Sequence, residues 1–165
     1  MGKFTQQELD EANKTLSTPE DCLKWAFDNL HPKLAKASSF GAEDAAIIDM
    51  MFKINSDSRL FTLETGRLPK ETFDAIEQVE QRYNTKIEKL YPDPNEVEKM
   101  IEEKGLNCFY DSIENRKLCC GIRKVHPMNK MLATLDGWIT GLRNDQNRIV
   151  LVLACSKLMK CMEIL

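Results

Sequence analysis

The residues best suited to chemistry stand together in Arg116-Lys117-Leu118-Cys119-Cys120-Gly121-Ile122-Arg123-Lys124. Two cysteines are adjacent, with a basic pair on each side. Nearby cations favour the thiolate, which is the form that ligates metal or attacks an electrophile. Adjacent cysteines rarely close a disulfide on each other, because neighbouring side chains point apart. The pair is expected to look outward, to a cluster, a metal or an anionic substrate. The plainer alternative is two small apolar side chains packed in a helix.

Polar turns at strand ends are the second chemical signal. Ser38-Ser39-Phe40-Gly41-Ala42-Glu43-Asp44 leads from a short strand into a helix. Backbone N–H groups and the helix dipole converge at such a point and favour an anion. A well-capped helix with no ligand would read the same way. Glu64-Thr65-Gly66-Arg67 follows the apolar run Leu60-Phe61-Thr62-Leu63, and Gly141-Leu142-Arg143-Asn144-Asp145-Gln146 follows Trp138-Ile139-Thr140. The sequence holds neither GxxxxGK[ST] nor GxGxxG, so it is neither a Walker loop nor a dinucleotide fingerprint.

The elements that must position these turns can be read in order. Capping patterns at Thr5-Gln6-Gln7-Glu8 and Thr18-Pro19-Glu20-Asp21 start helices over 6–14 and 19–30. The second carries an apolar stripe that includes Cys22, which is therefore expected in the core. His31-Pro32 ends it. A weak strand is expected over 33–38, a helix over 42–54, a strand over 59–63 and a helix over 69–83. A third strand over 86–90 and a helix over 95–104 follow, with Gly105 as the stop. Residues 105–115 read as loop or short helix, where Cys108 packs beside Phe109 and Tyr110. The double cysteine runs into a helical stretch interrupted by Pro127, and a fourth strand spans 135–140. This alternation predicts an α/β fold with a mainly parallel sheet flanked by helices. Right-handed crossovers would set the three polar turns on one edge of that sheet.

Composition narrows the class. The chain has 165 residues, of which 42% are hydrophobic and 30% charged, with a net charge of -3. That is enough chain for one domain with a core, and it argues against a general nucleic-acid binder. No apolar run reaches membrane-spanning length and no signal peptide is recognised. Six cysteines without a secretion signal point to a reducing, cytoplasmic setting where thiols serve metal or redox chemistry.

Taken together, the three turns and the double cysteine resemble the assimilatory sulfonucleotide reductases, which reduce adenylyl sulfate or its 3'-phospho form to sulfite. The resemblance is carried by Ser38–Asp44, Leu63-Glu64-Thr65-Gly66-Arg67-Leu68-Pro69, Arg116–Lys124 and Trp138–Gln146, all in the family's order and spread over about residues 20–147. It implies an adenine-nucleotide α-hydrolase-like fold with a modified pyrophosphatase loop. Ser38, Ser39, Phe40 and Gly41 would line that loop. Glu64, Thr65, Gly66 and Arg67 would form a second wall, with Glu64 where the family has Asp. Arg123, Lys124, Gly141 and Arg143 would complete the substrate site, and a planar guanidinium at 143 suits an oxyanion. The resemblance further implies that Cys119 and Cys120 are two of four thiolate ligands of a [4Fe-4S] cluster, with Lys124 close to it. Family members with this pair take adenosine 5'-phosphosulfate, release AMP and sulfite, and use thioredoxin or a similar dithiol as reductant. A homo-oligomer is compatible with the family.

The same resemblance marks departures. A Cys-x-x-Cys pair and a nucleophilic cysteine in a Glu-Cys-Gly-Leu-His motif do not occur in these residues. No catalytic residue is therefore assigned. The expectation is a C-terminally truncated copy: a nucleotide-binding domain over 1–147 and an atypical tail over 148–165, whose Cys155 and Cys161 have the wrong spacing to replace the missing ligands. The apolar run Ile149 to Ala154 could add a strand or could be an aggregation hazard. Two other readings stay open. One is a nucleotide-binding pyrophosphatase or adenylyltransferase without reductase activity, which would want a Ser-Gly-Gly-x-Asp-Ser loop. The other is a zinc or interaction module on Cys119, Cys120, Cys155 and Cys161, for which adjacent cysteines are poor spacing. His31 and His126 are the only histidines, and His126 reads as a surface residue.

Overall fold

The computed structural model of the chain describes residues 4–143, 149–155 and 158–164, with side chains described for residues 4–141 apart from Gln6 and Asn13. Two helices open it, α1 (Gln6–Thr15) and α2 (Pro19–Leu30). Both start on a threonine. Thr5 and Glu8 form a reciprocal capping box, and Thr18 accepts from the Asp21 N–H with Pro19 in the first turn.

Four short strands and their connecting helices then alternate: β1 (Leu34–Ala37), α3 (Ala42–Ile54), β2 (Leu60–Leu63), α4 (Lys70–Tyr83), β3 (Glu88–Leu90), α5 (Pro94–Lys104), α6 (Ile113–Cys120), α7 (His126–Leu132) and β4 (Gly137–Arg143). A single 3₁₀ turn, Cys108–Tyr110, precedes α6. Strands β5 (Ile149–Cys155) and β6 (Leu158–Ile164) follow. The sheet order is β3-β2-β1-β4-β5-β6. The first three pairings are parallel and the last two antiparallel. The expected strand-helix alternation and the parallel sheet core are thus present.

Each face of the sheet has its own core. Leu34, Leu60 and Ile139 project towards α2, α3 and α4 and pack with Leu23, Phe27, Ile47, Ile48, Met51 and Ile76. Ala35 and Phe61 project the other way, against Met131 and Leu135. This is the two-residue period of strands buried on both faces. A third, smaller cluster joins Met100, Cys108, Cys119 and Ile122. Cys22 is fully buried in the first core.

Two elements differ from the sequence expectation. Pro127 does not interrupt the helical run. The five-residue π-turn Gly121–Val125 takes up the change: the His126 N–H reaches back to the Gly121 carbonyl, and Pro127 lies in the first turn of α7, where no donor is needed. Gly141, Leu142 and Arg143 belong to β4 rather than to a turn, because β5 pairs with them in the register Gly141 to Leu151, Leu142 to Val150 and Arg143 to Ile149. The proposed extra strand over Ile149–Ala154 is that partner.

Candidate functional site

The carboxyl ends of β1, β2 and β4 frame a cavity of about 340 Å³. Ligands of open parallel sheets lie in such crevices. Ser38, Ser39, Thr62 and Thr140 give it a polar side, and Phe61, Met128 and Trp138 an apolar one. Thr65, Leu68, Lys124 and Gly141 complete the rim, and Asp44 lies in its wall.

The turn after β1 is held by its own side chains. The Ser38 hydroxyl accepts from the Phe40 N–H at 3.1 Å. Asp44 Oδ2 accepts from the Ser39 N–H at 2.7 Å and the Ser39 hydroxyl at 3.1 Å. Lys36 Nζ, from the middle of β1, donates to Asp44 Oδ1 and to the Ala37 carbonyl. Burial pulls the pKa of the Lys36 ammonium down, while Asp44 opposes that pull. Burial would raise the Asp44 carboxyl, but the Lys36 charge and the bonds from Lys36 and Ser39 outweigh it and hold it below the ordinary aspartate value. Phe40 has φ 63, a left-handed conformation that is strained for an aromatic residue. Its side chain does not line the strand-end cavity. It packs against the first core and borders a groove between α3 and α4. Gly41 is the N-cap of α3.

The turn after β2 is closed by Glu64, whose Oε1 accepts from the Gly66 N–H at 2.6 Å. Glu64 therefore binds its own turn. Gly66 has φ 71, which a residue with a Cβ adopts only under strain. Arg67 turns away from the strand-end cavity. Its guanidinium donates to the Leu106 carbonyl and to Asn107 Oδ1, and its Cζ lies 4.7 Å from the centre of the Phe109 ring.

A second cavity, of about 390 Å³, adjoins the first, and Thr65, Leu68 and Lys124 border both. Cys119, Cys120, Arg116, Arg67 and Arg123 line it, with Phe109 and Tyr110. Cys119 is 7% exposed and packs in the third core, whereas Cys120 is half-buried. Arg123 is also 7% exposed; its Nη1 donates to the Thr65 carbonyl at 2.7 Å, and its Nε is buried without a partner. His126 lies at the surface, with Nδ1 2.8 Å from Glu96 Oε2.

Of the residues singled out in the sequence, Ser38, Ser39, Thr65, Lys124 and Gly141 meet at the first cavity. Cys119, Cys120, Arg67 and Arg123 meet at the second. The Arg143 side chain, the segment Asn144–Arg148 and the side chains of Cys155 and Cys161 lie outside the described residues. Sequence reasoning did not assign Lys36, Asp44, Met128 or Trp138 to the site. Asp44 stood inside the quoted turn, but a lysine within a weak strand gave no signal.

The donor set can be tested against an iron–sulfur cluster. Two thiols on one cavity wall, ringed by cations, suit two of the four ligand positions. Among the described residues, no group of three or more His, Cys, Asp or Glu side chains converges on a point that could hold a metal ion. The described residues do not form a complete cluster site.

A polar cavity at the strand ends of a parallel sheet flanked by helices defines the class: an α/β fold of the adenine-nucleotide α-hydrolase type. The phosphoadenosine phosphosulfate reductase domain matches residues 33–151, and the chain belongs to that family. The adenosine 5'-phosphosulfate reductase of Pseudomonas aeruginosa (strain LESB58) is 42% identical over 130 residues, which are 79% of this chain and 48% of that protein. That of Burkholderia cepacia is 38% identical over 147 residues, 84% of this chain and 59% of that protein. The chloroplastic 5'-adenylylsulfate reductase 3 of Arabidopsis thaliana is 37% identical over 143 residues, 86% of this chain and 31% of that protein. The crystal structure of a phosphoadenylyl-sulfate reductase from Candida auris, a phosphate complex, superposes with a TM-score of 0.72 at 25% identity and covers 89% of this chain and 72% of its own. The chain thus spans about half the length of the bacterial reductases it matches. Among the described residues, no helix is long and apolar enough to cross a membrane.

Proposed function

We propose that this chain is the nucleotide-binding part of an adenosine 5'-phosphosulfate reductase of sulfate assimilation. The observation that carries the reading is the sharing of Thr65, Leu68 and Lys124 between the strand-end cavity and the cysteine-lined one. A nucleotide in the first cavity would point its anionic end at the second. The apolar side formed by Phe61, Met128 and Trp138 suits a base or ribose face, and Ser38, Ser39 and Lys124 suit phosphate or sulfate oxygens. Arg123, held by Thr65, adds a fixed positive charge at the junction. Arg143, at the end of β4, is the further cation the family pattern supplies.

Cys119 and Cys120 would be two of the four thiolates of a [4Fe-4S] cluster, the other two coming from outside these residues. Such a cluster, when bound, would carry net negative charge with its four thiolates, which Arg116, Arg123 and Lys124 beside the two cysteines would offset. Thioredoxin or a similar dithiol would be the reductant. Sulfur transfer in the family needs a cysteine nucleophile from a Glu-Cys-Gly-Leu-His motif, which these residues lack. The 165 residues alone are therefore expected to bind nucleotide without releasing sulfite.

Calorimetric titration with AMP and adenosine 5'-phosphosulfate, beside a sulfite-release assay with thioredoxin, tests this. Saturable binding of both without turnover is the expected result. Failure to bind either would overturn the reading, and so would tight binding of ATP with pyrophosphate release, which is the adenylating alternative.

A further inference from the structure

Lys36 is the least expected side chain in the sheet. It faces α3 from the middle of β1, on the same side as Leu34, where an aliphatic residue would ordinarily pack. It is 0% exposed. A lysine buried this deeply needs a partner that offsets the loss of water. That partner is Asp44, itself 3% exposed, on the first turn of α3. Asp44 in turn holds the Ser39 N–H and hydroxyl, and it lies in the wall of the strand-end cavity.

This arrangement carries an electrostatic conflict. The positive end of α3 favours an anion in the cavity. Glu43 and Asp44 place two carboxylates on that same first turn. An uncancelled carboxylate at Asp44 would repel any phosphate or sulfate brought to Ser38 and Ser39, and poor solvent screening would sharpen the repulsion. Yet Asp44 is needed, because it fixes the Ser39 N–H.

We propose that Lys36 is the charge counterweight of the anion turn: by pairing with Asp44 it cancels the carboxylate, so that Asp44 can hold the Ser39 turn while the cavity still accepts an anionic nucleotide. Lys36 is a positioning residue that acts through Asp44 and does not touch the ligand. The inference rests on the nucleotide reading of the cavity and adds to it a residue that decides between charged and uncharged ligands.

The test is titration of the full chain with AMP and, separately, with adenosine, which shares the base and ribose but has no charge. Four proteins are compared: wild type, Lys36→Met, Asp44→Asn and the double variant Lys36→Met/Asp44→Asn. Lys36→Met is expected to weaken AMP by roughly tenfold or more while leaving adenosine within about twofold. Asp44→Asn, which leaves the lysine charge uncancelled, is expected to raise the preference for AMP. The double variant should return the AMP-to-adenosine ratio to near the wild-type value. Should Lys36→Met not fold, Asp44→Asn and the double variant still give the ratio. A purely structural ion pair would weaken both ligands together in every folded variant, and that outcome overturns the proposal while leaving the nucleotide reading intact. A wild-type chain that binds neither ligand removes the nucleotide reading and this inference with it.

Discussion

Arg123 Nη1 donates to the Thr65 carbonyl at 2.7 Å, and this bond joins the helical segment that carries the two cysteines to the turn that ends β2. The contact spans 58 residues of sequence. The π-turn Gly121–Val125 brings Arg123 to it, and Gly66 leaves room for it: a Cβ on Gly66 would lie 3.3 Å from Arg123 Nη1. The two cavities are neighbours because of this junction.

Gly66→Ala should therefore destabilise the chain twice over, through the left-handed backbone and through crowding of Arg123. The backbone part alone is about 1–2 kcal/mol. Arg123→Met, which leaves the buried Thr65 carbonyl without its donor, should cost about 1–3 kcal/mol. Urea unfolding of each variant measures both costs. If Gly66→Ala unfolds at the wild-type urea midpoint, the junction is not tight.

Gly141 makes a second close approach. A Cβ there would stand 2.8 Å from Ile47 Cδ1 and 3.4 Å from Asp44 Oδ1, so β4 lies against the first turns of α3 only because residue 141 has no side chain. Gly141→Ala should cost about 1–3 kcal/mol through overpacking. Ile47→Val removes the clashing methyl, so the pair should show a favourable coupling in a double-mutant cycle. Strict additivity of the two changes would mean that the strand shifts away freely.

How much of this was legible follows from the kind of signal each residue gives. Helices α2 to α5 and strand β2 carry apolar patterns, with capping side chains at α2 and α5, and their bounds lie within a residue or so of the pattern. Gly141–Arg143 read as a turn because glycine and polar residues follow Thr140. Pairing with β5 overrides that local preference. Pro127 read as a break because the sequence does not announce a π-turn ahead of it. The resemblance places Arg67 at the substrate site, and no local pattern announces that Leu106 and Asn107, about 40 residues away, hold its guanidinium. Lys36 gave no signal, since a lysine in a short strand normally marks a solvated face. Cysteines 119 and 120 were found by their flanking charges, but only the packing of Met100, Cys108 and Ile122 separates a buried thiol from a half-buried one.

That separation predicts an order of thiol reactivity. Burial, with Asp21 adding to it, pushes the Cys22 thiol up to about 11, which leaves almost no thiolate at neutral pH. Cys108 is buried in the third core. Cys120 is half-buried in a cavity lined by Arg116, Arg123 and Lys124. Brief alkylation of the native chain at pH 7.5, followed by peptide mass mapping, should label Cys120 well before Cys22 and Cys108. Saturating AMP should slow Cys120 if the two cavities share an occupant. Equal labelling of Cys22 and Cys120 would contradict the full burial of Cys22.

The acid limb of stability should depend on Glu80, which binds β3 to α4. Its carboxylate accepts from the Ile87 N–H at 2.9 Å and from Lys89 Nζ at 3.1 Å, and Lys86 Nζ lies at 3.4 Å. The Ile87 N–H is the main reason that Glu80 titrates below its ordinary 4.5; burial opposes it and Lys89 reinforces it. A carboxyl with a lowered folded pKa binds fewer protons in the folded state than in the unfolded one. Its contribution is complete above the unfolded value and is lost as pH falls through the folded value. Asp44 has the same sign. Urea unfolding at pH 7 and at steps between about pH 5 and 3 should show stability falling towards acid. Glu80→Gln keeps an acceptor for Ile87 but cannot titrate. It should be less stable than wild type at pH 7, and the gap should close as the pH falls. A gap that stays constant down to the lowest pH would place the acid sensitivity elsewhere, with the Lys36–Asp44 pair as the next carboxylate to replace.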